Sequence, residues 1–396
     1  MRGDVAPAGV EGHCDPAFAA VGEVFAGLMA GGRELGAAVA VYADGRPVVD
    51  LWGGVADSRS QRPWTADTVA MGFSVAKGAV AALCCRLAQE GVVDLDEHLS
   101  RTWPELRGDG KEAVTLRWVL SHRAGLPAVR RDLDPMDLVA GQPVLDALAA
   151  EPPWWEPGTA AGYHPFTYGF LAAAALRGAT GRSLGALLDE HVAAPLGLDL
   201  WIGLPDEVRP RVARLEPAED DEPVDRTDVP EPFEPGSLPE RAFANPPMSA
   251  ASWNAAALLR AEIPAVNAVG SARAWARLYA ACVGEVDGVR LLDPAWLAAA
   301  TTPETCEPDL VQDHNLLHVG LGFRLPAGEP AVTGPGWFGH GGSGGALAGA
   351  DRDTGVAFAY LPNRLRFGVA EDGHRAQLVA ALRDALGLPD PYRPGG

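Results

Sequence analysis

Strand-forming patterns occupy both ends of this chain and helical ones its centre, and this distribution restricts the fold more than any other feature. Residues 36–53 read as two apolar runs around Asp44-Gly45, a dipeptide suited to a tight hairpin turn. Short runs of strand character return at 286–289, 320–325, 346–350 and 356–361. A lone hairpin is marginal in water, so the first needs partners from the other end. The economical architecture is α/β (α+β): one mixed, mainly antiparallel sheet flanked by helices, with a helical domain inserted. The expected division is 15–90 plus 268–390 for the sheet domain and 91–267 for the inserted one.

Helical segments fit that frame. An amphipathic stretch spans 17–29, and a second run extends from Ser74 to Glu90, closed by Gly91. Ser271 is a plausible N-cap for a helix carrying Trp275, Leu278, Tyr279 and Cys282 on one face. A closing helix at 375–386 carries Leu378, Leu382 and Leu386. From 205 to 247 proline and acidic residues dominate, which reads as a solvated loop, with an active-site lid as the alternative.

Composition excludes several functions. The 396 residues are 47% apolar, enough for a large core, and 52 acidic against 32 basic residues give a net charge of −20. Such a surface disfavours nucleic acid and anionic membranes. No apolar run approaches the ~20 residues needed to cross a bilayer, and Met1-Arg-Gly-Asp-Val-Ala-Pro lacks a secretory apolar region; a cytoplasmic location is expected. The five cysteines form no disulfide framework or metal-ligand spacing, so no metal or organic cofactor is expected.

Only two lysines occur, Lys77 and Lys111, which makes their surroundings informative. Ser74-Val75-Ala76-Lys77 opens an apolar helix, and i, i+3 spacing puts hydroxyl and amine on one face. Dehydration among Val75, Ala76, Ala79 and Val80 lowers an amine's pKa until it can accept a proton, making Ser74 a nucleophile. An N-cap serine beside a surface lysine is the simpler alternative. A second candidate is Tyr163, in the rigid loop Trp155-Glu-Pro-Gly-Thr-Ala-Ala-Gly-Tyr-His164-Pro, where a nearby ammonium would favour phenolate; simple packing is the alternative for Tyr163 and for His164. The third is Trp337-Phe-Gly-His340-Gly-Gly-Ser343-Gly-Gly, a glycine-rich strand edge whose N–H groups can hold an oxyanion. It also matches Gly-x-Ser-x-Gly, raising an α/β-hydrolase rival with His374 and Asp351, Asp353 or Asp372. Trp154, Trp155, Phe166, Trp337, Phe338 and His164 are candidates to line a cleft, with simple core packing as the alternative.

Together, Ser74-x-x-Lys77, Tyr163 and His340-Gly341-Gly342 resemble the motifs of the serine β-lactamase and penicillin-binding-protein superfamily, especially its class C-like (family VIII) carboxylesterases and related acyltransferases. Leu120-Ser-His-Arg-Ala-Gly-Leu126 is similar to a further signature, and the resemblance runs from about residue 20 to 388. It implies a β-lactamase/transpeptidase-like fold, Ser74 as acylated nucleophile, and Lys77 and Tyr163 sharing base and acid roles. It also implies an oxyanion hole from the N–H groups of Ser74 and Ser343, with His340, Gly341 and Gly342 binding substrate. Two positions depart from β-lactamases: Tyr163-His164-Pro165 stands for Tyr-x-Asn, and His340-Gly341-Gly342 for Lys-Thr-Gly. A small-molecule ester is therefore the expected substrate. Acyl transfer to an alcohol or amine, including cyclisation, is the alternative. D-amino-peptide hydrolysis and slow β-lactam binding are further ones.

Overall fold

The computed structural model describes residues 9–217, 233–312, 315–327, 332–365 and 373–388. Six strands, β1 (Val10–Cys14), β2 (Gly36–Ala43), β3 (Arg46–Asp57), β4 (Trp337–Gly341), β5 (Leu347–Asp351) and β6 (Val356–Pro362), lie side by side in the order β1-β3-β2-β6-β5-β4. Arg62–Pro63 adds a short seventh strand on β3, and every pairing is antiparallel. The two chain ends meet at β2 and β6, where Ala43 faces Val356 and Ala37 faces Pro362. Asp44 and Gly45 both have positive φ, 50° and 72°, as a tight hairpin turn requires.

Strand alternation sorts side chains between two cores. Ala38, Ala40 and Tyr42 of β2 and Ala357, Ala359 and Leu361 of β6 face the larger core. Ala37, Val39 and Val41, with Val356, Phe358 and Tyr360, face the smaller. Helices α1 (Ala19–Ala30) and α5 (His374–Ala385) cover the latter side. The alanine-rich side receives helix α4 (Ala272–Val283), because small side chains let a helix approach the backbone closely. Ser271 caps α4 by accepting the Ala274 N–H at 3.1 Å, and Trp275, Leu278, Tyr279 and Cys282 are all buried. Helix α2 (Ala76–Gln89) is buried on nearly every face, as its apolar sequence demands. Helix α3 (Thr167–Thr180) packs across it.

Three expectations change. Residues 320–325 do not form a strand: Leu316–Val319 pairs with Thr305–Pro308, and Gly320 and Gly322 break the run into a turn, leaving Arg324 to bridge Gly339. Residues 286–289 close on themselves as a turn, with hydrogen bonds both ways between Val286 and Val289. The 205–247 segment is more than a solvated loop. Residues 218–232 lie outside the described ones, but Glu216–Pro217 pairs with Arg364–Leu365, and Ser237 caps a short helix at Leu238–Phe243. Among the described residues no helix is long and apolar enough to cross a membrane.

Candidate active site

Ser74 lies in the turn joining the short strand Ala70–Met71 to α2. Phe73, immediately before it, has φ 47°, a costly conformation for a bulky residue. Its ring packs edge-on against Trp253 at 6.0 Å. The Gly72 N–H, donating to Ala268 O at 3.0 Å, holds the turn from the other side.

Lys77 projects from the first turn of α2 and is 0% exposed. Its Nζ lies 2.8 Å from Pro165 O, 3.1 Å from Ala265 O and 3.3 Å from Ser74 Oγ. Burial, aided by the Arg324 charge, pushes its pKa well below the usual lysine value. A neutral amine has two N–H groups and one lone pair. The two carbonyls take both hydrogens, so the lone pair is left facing the serine hydroxyl.

Tyr163 arrives from the other side, its Oη donating to Ser74 Oγ at 2.8 Å. Its backbone N–H donates to Asp309 Oδ1 at 2.8 Å. A Cβ at Gly162 would meet the Trp155 ring at 2.7 Å and Val311 at 2.9 Å, so only glycine permits this packing of the loop. Burial raises the Tyr163 pKa to about 12, although the Ser74 hydrogen bond and Arg324 act in the opposite direction. The phenol is thus protonated, contrary to the phenolate expected beside an ammonium, because burial outweighs the Ser74 hydrogen bond and the Arg324 charge.

His340, on β4, is buried, with its ring centroid 6.0 Å from that of Tyr163. Gly342 brings the end of β4 onto the nucleophile turn: a Cβ there would lie 2.2 Å from Gly72 O. Gly341 precedes this close approach, and Ser343 follows it, exposed, in the turn Ser343–Gly345. The structure thus brings Ser74, Lys77, Tyr163 and His340 together, with the Gly341–Ser343 strand end beside them.

Three other expected cleft residues are enclosed instead. His164 is fully enclosed: Nδ1 donates to Gly162 O at 2.6 Å, and Nε2 accepts the Leu126 N–H at 3.3 Å. Burial lowers its pKa to about 3; it fastens the loop rather than lining a cleft. Trp337 packs in the smaller core beyond the sheet, and Phe338 is 0% exposed against Phe323 and Tyr279. Trp154 donates to Ala128 O, Trp155 packs edge-on against His164, and Phe166 stacks on Trp253. The α/β-hydrolase rival is not assembled. Ser343 lies between two antiparallel strands, His374 pairs with Glu34, and Asp351 accepts from Thr333 and nearby backbone; Asp372 lies outside the described residues.

Three contributors escaped sequence reasoning. Arg324 places its guanidinium 5.3 Å from the Tyr163 ring, supplying a cation near the position where His340 replaces lysine; its one signal was a charge inside an apolar run. Asp309 anchors Tyr163 but sits in unpatterned sequence. His122, visible only as part of the Leu120–Leu126 signature, accepts the His164 N–H and contacts the Tyr163 ring. Among the described residues, no group of three or more His, Cys, Asp or Glu is placed to hold a metal.

The chain matches the Beta-lactamase family over residues 21–382. It is 38% identical over 366 residues to the esterase/beta-lactamase LipL of Mycobacterium tuberculosis, covering 90% of this chain and 83% of that protein. Among solved structures, a family VIII carboxylesterase superposes with a TM-score of 0.85 at 34% identity, covering 95% of this chain and 99% of the other. A penicillin-binding protein homologue from Caulobacter crescentus gives 0.82 at 39% identity, with the same coverage. Agreement over nearly the whole length, in sequence and in backbone, means that this protein belongs to the beta-lactamase family.

Proposed function

We propose that the protein is a serine hydrolase that cleaves small carboxylic esters through an acyl-enzyme on Ser74. One observation carries this: a single hydroxyl lies within 3.3 Å of an enclosed amine and 2.8 Å of a protonated phenol. Esterase names among its relatives and a carboxylesterase of the same fold support the ester as substrate. Lys77 accepts the Ser74 proton as Oγ attacks the ester carbonyl. The N–H groups of Ser74 and Ser343 receive the oxyanion. Tyr163 then protonates the departing alkoxide, and Lys77 returns the proton it took from Ser74 to the phenolate left behind. Water, deprotonated by the same pair, releases the acid and restores the serine. Gly341 and Gly342 carry the strand edge along which substrate lies. The acidic surface and free cysteines accord with a cytoplasmic setting. The inserted domain at 91–267 supplies Tyr163 to a site on the 15–90 plus 268–390 domain.

Intact mass after brief exposure to p-nitrophenyl butyrate tests the proposal. A butyryl increment confined to Ser74, absent in Ser74→Ala, is expected; unchanged turnover in Ser74→Ala would refute it. A persistent adduct would instead mark a slowly deacylating binder, and a new ester formed from added alcohol an acyltransferase.

A further inference from the structure

His340 has one ring nitrogen whose role is fixed and one that is free. Nδ1 lies 2.5 Å from Gly341 O. A carbonyl only accepts, so Nδ1 must carry the hydrogen. In a neutral ring Nε2 is then an acceptor with an unused lone pair. Nε2 is buried and has no hydrogen-bond partner among the described residues. Protonation is not an easy remedy, because burial and the nearby Arg324 charge hold this imidazole neutral. A buried acceptor without a donor is costly to keep, and this one lies on the flank of the site occupied by Tyr163, the phenol placed to protonate a leaving group.

We propose that His340 Nε2 accepts a hydrogen bond from a neutral donor on the alcohol portion of the substrate, so that the preferred substrates are esters of diols or polyols, with a free hydroxyl close to the ester oxygen. The proposal rests on the ester hydrolysis proposed above and adds the leaving-group class. In the proposed contact, the Nε2 lone pair would repel a carboxylate and leave a plain alkyl or methoxy group unmatched, whereas a hydroxyl would satisfy it. Arg324 is the competing feature, since its guanidinium beside Tyr163 would attract a carboxylate instead.

The test compares kcat/KM for 2-hydroxyethyl, 2-methoxyethyl and carboxymethyl butyrate in the wild type, His340→Leu and His340→Gln. Ratios within one protein cancel any loss of folded enzyme. The wild type should favour the hydroxyethyl over the methoxyethyl ester roughly tenfold, the gain of one satisfied hydrogen bond. His340→Leu should bring that ratio near one, and His340→Gln, which retains an acceptor, should restore part of it. Equal ratios in wild type and His340→Leu, or a wild-type preference for the carboxymethyl ester, would overturn the proposal. A fluorophosphonate that fails to label Ser74, with none of the three esters cleaved, would instead sink the underlying hydrolase function.

Discussion

A fully enclosed lysine is tolerated if it meets an anion or sheds its charge. The polar contacts of Lys77 among the described residues are one hydroxyl and two carbonyls, with no carboxylate, so burial works against its charge. Because the folded-state pKa is depressed, the unfolded chain binds more protons between that value and 10.5. The penalty is therefore full below the folded pKa, shrinks as pH rises, and vanishes above 10.5. Lys77→Met, which abolishes catalysis in the proposed mechanism, should gain on the wild type in urea-unfolding free energy as pH is lowered from 10 to 6. Parallel stability curves for the two proteins would contradict a neutral amine. Activity follows the same titration: kcat/KM should rise with pH as Lys77 loses its proton. It should show no alkaline loss through Tyr163 below pH 10, since that phenol titrates at about 12. Tyr163→Phe should lower kcat by about 10²–10⁴ and leave the acid limb in place; a displaced acid limb would mean that the phenol, not the amine, is the base.

Elements hold these groups through close backbone contacts that single methyl groups can test. In α2, a Cβ at Gly78 would lie 1.8 Å from Tyr279 Oη of α4. Tyr279 is 0% exposed, and its hydroxyl lacks a hydrogen-bond partner among the described residues. Gly78→Ala should therefore cost about 1–3 kcal/mol through overpacking. Tyr279→Phe alone should be neutral or stabilising by about 1 kcal/mol, and the double variant should recover most of the loss. Additive effects in urea melts would show that the two helices do not press together here. At the strand end, Gly342→Ala meets rigid backbone at Gly72 O and has no side chain to push aside. Displacing β4 from the nucleophile by a fraction of an ångström should reduce kcat/KM by about 10²-fold, more than any loss of folded protein explains; activity within twofold of wild type would refute it. The β2–β3 hairpin, the α4 cap and the Ser74–Lys77 pair were legible because each is a local pattern. Of the two readings open for Trp337, core packing holds, because its position three residues from His340 puts it on the opposite strand face, a parity that motif proximity ignores. Phe338 shares the His340 face, but two residues further back, where Tyr279 closes over it.

Across the whole molecule, the site depends on a sheet that neither chain end can complete alone. Ser74, Lys77 and Tyr163 all precede residue 164, yet the surface against which Ser74 rests is β4, connected to β2 only through β5 and β6. That long-range closure was readable as a need for strand partners, whereas Arg324 and Asp309 were not: their roles arise from packing between segments more than 140 residues apart in sequence. The same closure predicts how the protein fails. A chain ending at Gly336 keeps all three reactive side chains but loses β4, β5, β6 and α5, exposing the edge of β2 and the apolar faces that line both cores. Lost burial of Val39, Val41, Phe358 and their neighbours far exceeds the ~5–15 kcal/mol by which a domain is stable. The truncated chain should show no cooperative urea transition, and its Ser74 should not react with a fluorophosphonate that labels the full chain. Labelling of the truncated protein at a comparable rate would mean that the hydroxyl, amine and phenol assemble without the C-terminal strands, and that the sheet serves stability alone.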